Sequence, residues 1–329
     1  MSATPPARPA SPALAVRGLS VVLPTRRGVL TAVDDVSFDI ATGEILGVVG
    51  ESGAGKSLTG AAIIGLAEPP ARVQGEVWLD GRRIDTLDKA AIHRLRGREI
   101  GAIFQDPLTA LDPLFSIGDQ LVETLRTHFR LTPADARAQA LAWLEDVGIA
   151  GAARRFDQFP HQFSGGMRQR IVIALALAAE PSVIIADEPT TALDVSIQAQ
   201  IIALLKRLAR ERGVAILLIT HDMGVIAAVA DRVVVMYAGR IVESGAVADV
   251  IHRPRHPYTA GLMASIPSIA EARTRLAQID GAMPRLDAIP VGCAFHPRCS
   301  DADAQCAARR PPLVASAAGE VACWRVSPG

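Results

Sequence analysis

Residues Gly50 to Ser57 read GESGAGKS and fit the phosphate-loop pattern G-x-x-x-x-G-K-S/T. Glycines let backbone N–H groups in such a loop turn inward around a β-phosphate, and a following helix aims its positive end at the same anion. Gly50, Glu51, Ser52, Gly53, Ala54 and Gly55 would form the cradle, which runs on to Leu58. Lys56 is placed to bridge the β- and γ-phosphates and Ser57 to offer a hydroxyl to Mg2+, so the expected ligands are ATP and Mg2+. A second acidic element must serve the metal, and SVIIADEP supplies Asp187 and Glu188 at the end of an apolar run. Asp187 suits the ion, directly or through a water, and Glu188 suits the base that polarises an attacking water. Adjacent carboxylates there could instead cap the next helix. A third set is Cys293, Cys299, Cys306 and Cys323, spaced C-x5-C-x6-C-x16-C, with no cysteine before them. Such a set is compatible with a metal or cluster site, a pair of disulfides, or unligated thiols.

The elements that would position these groups follow from periodicity. GEILGVVGESGAGKSLTGAAIIGL is a buried strand, a Gly-rich turn and an apolar helix. ALAVRGLSVVL and LTAVDDVSFDI alternate apolar and polar residues around PTRRG, which predicts an antiparallel β portion. Residues 109–153 read as helical, with Thr132 as an N-cap and a stop at Gly148. Helix and strand then alternate through SVIIADE, VAILLITHD and RVVVMYAG, the signature of an α/β core with a parallel sheet. After about residue 255 the pattern turns Pro- and Ala-rich. The expected organisation is a loose tail over residues 1–13, an ATPase domain over 14–255 with a helical portion near 106–165, and a small extension over 256–329.

Composition bounds the setting. The chain has 329 residues, half of them hydrophobic, enough for a sizeable core. With 34 basic and 34 acidic residues its formal charge is zero, so nothing electrostatic points to nucleic acid. The N-terminal stretch lacks a continuous apolar segment and reads as a tail rather than a signal peptide. The longest purely apolar run, Ile171–Ala179, is far short of the ~20 residues of a membrane-spanning helix. A cytoplasmic, reducing setting is expected, which argues against structural disulfides and for thiolate ligation.

Four further motifs narrow the class. FSGGMRQR, Phe163 to Arg170, opens the helix before the Asp187 strand; IFQDP carries Gln105; TTALD ends at Asp194; LLITHDM carries His221. In this order they resemble the signature motif, Q-loop, D-loop and switch histidine of ATP-binding cassette (ABC) ATPases, over about residues 14–255. The resemblance implies a P-loop cassette with a RecA-like parallel core, an antiparallel β subdomain and a helical subdomain. It implies that Ser164, Gly165, Gly166 and Asp194 face ATP held by a partner cassette. Gln105 would contact Mg2+ or the water and report nucleotide state to a membrane domain, and His221 would steady the γ-phosphate. The signature departs from L-S-G-G-Q at Phe163 and Met167, and the position of the adenine-stacking aromatic aligns near Arg27, whose guanidinium can stack on a base.

HPYTAGLMASIP, from His256, and GCAFHPRC, from Gly292, resemble the C-terminal extension of oligopeptide/dipeptide importer ATPases, and GESGAGKSLTG and FPHQFSGGMRQR resemble their D-type subunit. That branch implies a peripheral subunit on the cytoplasmic face of the inner membrane. Its partners would be an F-type ATPase, two membrane permeases and an extracytoplasmic solute-binding protein. It also implies a 4Fe-4S cluster on the four cysteines, with Zn2+ as the alternative, and places Tyr258 as a packing residue. Glutathione, nickel and sugars are carried by relatives of the group. Two other classes fit poorly: DNA-maintenance ATPases need a coiled-coil insertion for which the 58 residues between Gln105 and Ser164 leave no room, and translation-associated ATPases carry two cassettes.

Overall fold

A computed structural model describes residues 11–26, 28–191, 193–266, 278–316 and 318–326. Arg27 and most of the N-terminal tail lie outside the described residues. Among the described residues the strands are β1 (Leu14–Thr25), β2 (Gly28–Ile40), β3 (Ile45–Val49), β4 (Arg72–Leu79), β5 (Arg82–Arg83) and β6 (Ile100–Ile103), then β7 (Val183–Asp187), β8 (Ala215–Thr220), β9 (Arg232–Tyr237), β10 (Arg240–Ala246), β11 (Val314–Ser316) and β12 (Gly319–Val321).

They form two sheets. One is antiparallel, in the order β2-β1-β4-β5; the other has eight strands in the order β11-β12-β10-β9-β3-β8-β7-β6. Strands β9, β3, β8, β7 and β6 are mutually parallel. Every residue of β3 and β8 is buried, the pattern of a strand covered on both faces by helices. The loops after β3, β6, β7 and β8 therefore open on one edge of the sheet, the C-terminal edge where α/β sheets bind ligands. These loops carry GESGAGKS, Gln105, Glu188 and His221.

The stretch expected to be helical is four helices: Pro107–Ala110, Ile117–His128, Pro133–Asp146 and Ala152–Arg155. Each main break has a local cause. Ser116 and Thr132 turn back to accept the N–H of Asp119 and Asp135, at 3.1 and 3.2 Å, and Pro133 sits at a first-turn position where its missing donor costs nothing. Gly118 lets the ring of Phe156 approach so closely that a Cβ there would lie 2.2 Å from it.

The C-terminal segment joins the main sheet. β12 pairs antiparallel with β10, setting Glu243 opposite Val321, and β11 closes the hairpin. These strands are three residues each and carry no clear alternation, so the sequence pattern did not announce them. At the entry to the segment the fully buried Glu243 carboxylate accepts the N–H groups of Arg255 (2.9 Å) and His256 (3.0 Å).

Candidate functional site

The phosphate loop is built by close backbone approaches. Gly55 has φ 97°, and a Cβ there would meet the Ala32 carbonyl at 3.0 Å; at Gly50 it would lie 2.3 Å from the Met236 carbonyl. The helix Lys56–Ile63 starts directly from this turn, so its unpaired N–H groups open onto the loop. Lys56 is buried, and its ammonium donates to the carbonyls of Gly50 (2.8 Å) and Glu51 (3.0 Å). Burial lowers its pKa, partly countered by the fields of Glu188, Asp187 and Glu51.

Asp187 ends β7 and accepts the Ser57 hydroxyl at 3.0 Å. Burial pushes its carboxyl up, and the neighbouring Glu188 charge adds to this against the opposing Ser57 and Lys56. A cation at this oxygen pair would reverse that cost. Ser57 and Asp187 are thus the donors whose chemistry fits Mg2+.

Glu188 follows with a left-handed backbone, φ 46°. It does not cap the next helix, whose N-cap is Asp194. Its Oε1 lies 2.9 Å from His221 Nδ1, while Oε2 accepts from Gln105 Nε2 at 3.1 Å and from the Thr191 hydroxyl at 2.8 Å. Burial raises its carboxyl, but the hydrogen bonds of His221 and Thr191 and the fields of His221 and Lys56 outweigh that and hold it below the ordinary value. Glu188 is therefore ionised and oriented, as a base must be. Thr191 was not singled out by sequence, although it lies inside TTALD and three residues after Glu188.

Lys56, Ser57, Gln105, Glu188 and His221 share a cleft of about 1040 Å³ lined by the whole loop Gly50–Leu58 and by Leu262 and Met283–Leu286 of the C-terminal segment; Asp187 and Thr191 lie behind its lining residues Ser57 and Glu188. No motif pointed to Met283–Leu286. Ser164, Gly165, Gly166 and Asp194 do not line it. Ser164 caps the helix Gly165–Leu177 through the Met167 N–H at 3.4 Å, and Asp194 caps Val195–Arg212 through the Ile197 N–H at 3.0 Å. Gly166 lets these two helices touch: a Cβ there would lie 2.5 Å from Ile197. Ser164, Gly165 and Asp194 are exposed.

Tyr258 is fully buried, as a packing residue should be, yet its hydroxyl also accepts the Glu51 N–H at 2.8 Å. The four cysteines are free. Burial raises the thiols of Cys293, Cys299 and Cys323, and the charge of Cys306 adds to each, so the set is gathered within electrostatic reach. Among the described residues, however, no three His, Cys, Asp or Glu side chains are arranged to hold a metal ion, so the expected metal cage is not formed as such. A single Zn2+ needs four donors within about 2.3 Å of one point. The chemistry of the thiol set suits a soft metal, and its arrangement is not that of a one-ion site.

Residues 33–191 match the ABC transporter family, and residues 242–306 match the oligopeptide/dipeptide transporter C-terminal region. The chain is 44% identical over 325 residues to the oligopeptide transport ATP-binding protein OppD of Salmonella typhimurium, covering 98% of this chain and 97% of that protein. It is 46% identical over 314 residues to the dipeptide transport ATP-binding protein DppD of Bacillus subtilis, covering 94% of each. In structure it is similar to a dimeric ATP-binding cassette, MJ0796, in a post-hydrolysis state bound to ADP and Pi. The TM-score is 0.63 at 29% identity, over 71% of this chain and 98% of that one. The cbiO1 cassette of Clostridium perfringens gives 0.64 at 28%, over 74% and 92%. The chain belongs to the ABC transporter family of ATP-binding proteins, in the branch that carries the oligopeptide/dipeptide C-terminal region.

Proposed function

We propose that this chain hydrolyses ATP to drive import of di- and oligopeptides or chemically related solutes, as a peripheral subunit on the cytoplasmic face of the cell membrane. The observation that carries the reading is Glu188, held ionised by His221 and Thr191 and tied to Gln105 at the mouth of a phosphate loop, in a chain that also carries the oligopeptide/dipeptide-type segment. Lys56 and the loop amides hold the phosphates. Ser57, Asp187 and Gln105 hold Mg2+, which offsets the phosphate charge. Glu188 takes the proton of the attacking water and His221 keeps it oriented. Met283 and Pro284 add apolar contact for the base beside the role expected of Arg27.

Ser164, Gly165, Gly166 and Asp194 serve the ATP of a second cassette, an F-type subunit, because they stand outside this chain's own cleft. One of the two permeases docks beside Gln105, where the apolar side chains of Phe104, Leu108, Leu114 and Phe115 are 48–78% exposed. An extracytoplasmic binding protein selects the solute. The division into an ATPase domain over 14–255 and an extension over 256–329 belongs to the same reading. Cys293, Cys299, Cys306 and Cys323 hold a 4Fe-4S cluster rather than zinc; thiols within reach of each other's fields and a spacing unlike the usual C-x2-4-C zinc pattern favour it.

The test is a strain lacking this chain, given short peptides as its only nitrogen source. It should fail to grow, grow normally on free amino acids, and recover with the parent chain but not with Glu188→Gln. Unimpaired growth on peptides, with loss of uptake of nickel, glutathione or a sugar, would move the solute to that class.

A further inference from the structure

The phosphate loop carries a carboxylate of its own, Glu51, second in GESGAGKS and part of the cleft lining. Its field reaches the Lys56 ammonium. An acid in a loop built to hold triphosphate repels the ligand unless a cation neutralises it. One of its oxygens, Oε1, is buried without a partner among the described residues, so the geometry alone does not satisfy it. The other, Oε2, lies 3.0 Å from the guanidinium of Arg298, 247 positions away in the C-terminal segment.

Arg298 is built for this contact. Its side chain is 7% exposed and donates to the carbonyls of Asp280 at 2.8 Å and Ile279 at 3.4 Å. It also lies against the rings of Tyr237 and Phe295, 5.8 and 5.9 Å from their centroids. Every neighbour that fixes it, apart from Tyr237, comes from the same C-terminal segment. That segment grips the loop a second time through the Tyr258 hydroxyl on the Glu51 N–H. We infer that Arg298 is a positioning residue for nucleotide binding: it neutralises Glu51 and holds its side chain away from the phosphates, which makes the C-terminal segment part of the ATP site. The inference rests on reading the phosphate loop as that site.

Binding of a fluorescent ATP analogue with Mg2+ to the purified full chain tests it. Arg298→Gln should raise Kd about tenfold or more, as loss of a partly buried charge-assisted pair does. Arg298→Lys should stay near the parent value, and adding Glu51→Gln to Arg298→Gln should bring Kd back within about threefold, because the repelling charge is then gone. A merely structural arginine would not be rescued by a change in the loop. If Arg298→Gln does not fold, the double variant carries the test: near-parental Kd supports the inference and a tenfold loss contradicts it. A Kd unchanged in Arg298→Gln, or lost and not recovered in the double variant, overturns it. No binding to the parent chain would instead remove the reading of the loop.

Discussion

Glu188 and Asp187 are adjacent carboxylates whose surroundings drive them apart. Hydrogen bonds from His221 and Thr191 hold Glu188 ionised, whereas burial and the Glu188 charge push Asp187 up until a cation is present. Such divergence between neighbours fits the proposed roles of Glu188 as base and Asp187 as metal donor. The cysteines obey the same logic. Three thiols raised by burial and by each other's fields would be neutral without a metal, and ligation would deprotonate them. If they hold the proposed cluster, protein purified without oxygen should be brown, absorb near 400 nm and carry about four irons per chain. Cys299→Ser should lose the band and lower Tm by several degrees. A colourless parent protein holding one zinc per chain, or no metal, would contradict the cluster.

At the scale of elements, the N-terminus of the helix Pro257–Ala264 carries a pH-dependent contact. His256 caps that helix, its Nδ1 accepting the Tyr258 N–H at 3.0 Å, and burial lowers its pKa from 6.5 to about 4. Its lowered folded value means that the unfolded chain gains the proton first as pH falls. Stability should be level above about pH 6.5 and decline by roughly 3 kcal/mol between there and about pH 4. His256→Asn, which keeps a capping oxygen, should flatten that decline in urea titrations at stepped pH; an unchanged slope would remove His256 as its cause. The parallel core was legible because strands buried on both faces leave continuous apolar runs, and the cap at Thr132 is local chemistry. The β11–β12 hairpin was not legible, because three-residue strands take their order from the edge of β10 rather than from their own pattern.

For the whole molecule, the four loops on one sheet edge could be foreseen, since each motif sits beside its own strand. The lining of the cleft by Met283–Leu286 and the pairing of Arg298 with Glu51 could not, because contacts between residues some 230 to 250 positions apart leave no periodic trace. The cleft gathers the phosphate loop with Gln105, Glu188 and His221, while the exposed Ser164, Gly165 and Asp194 stand outside it; on the proposed function these are two half-sites. Paired cassettes would complete both. The central claim is that Glu188 drives hydrolysis at this cleft. Phosphate release by Glu188→Gln, with MgATP saturating and the partner cassette present, measures it most directly. This chain's site should bind ATP as the parent does while its hydrolysis falls by about a hundredfold or more, the scale of losing a general base. Hydrolysis at the parental rate from this site, with ATP bound normally, would contradict the account.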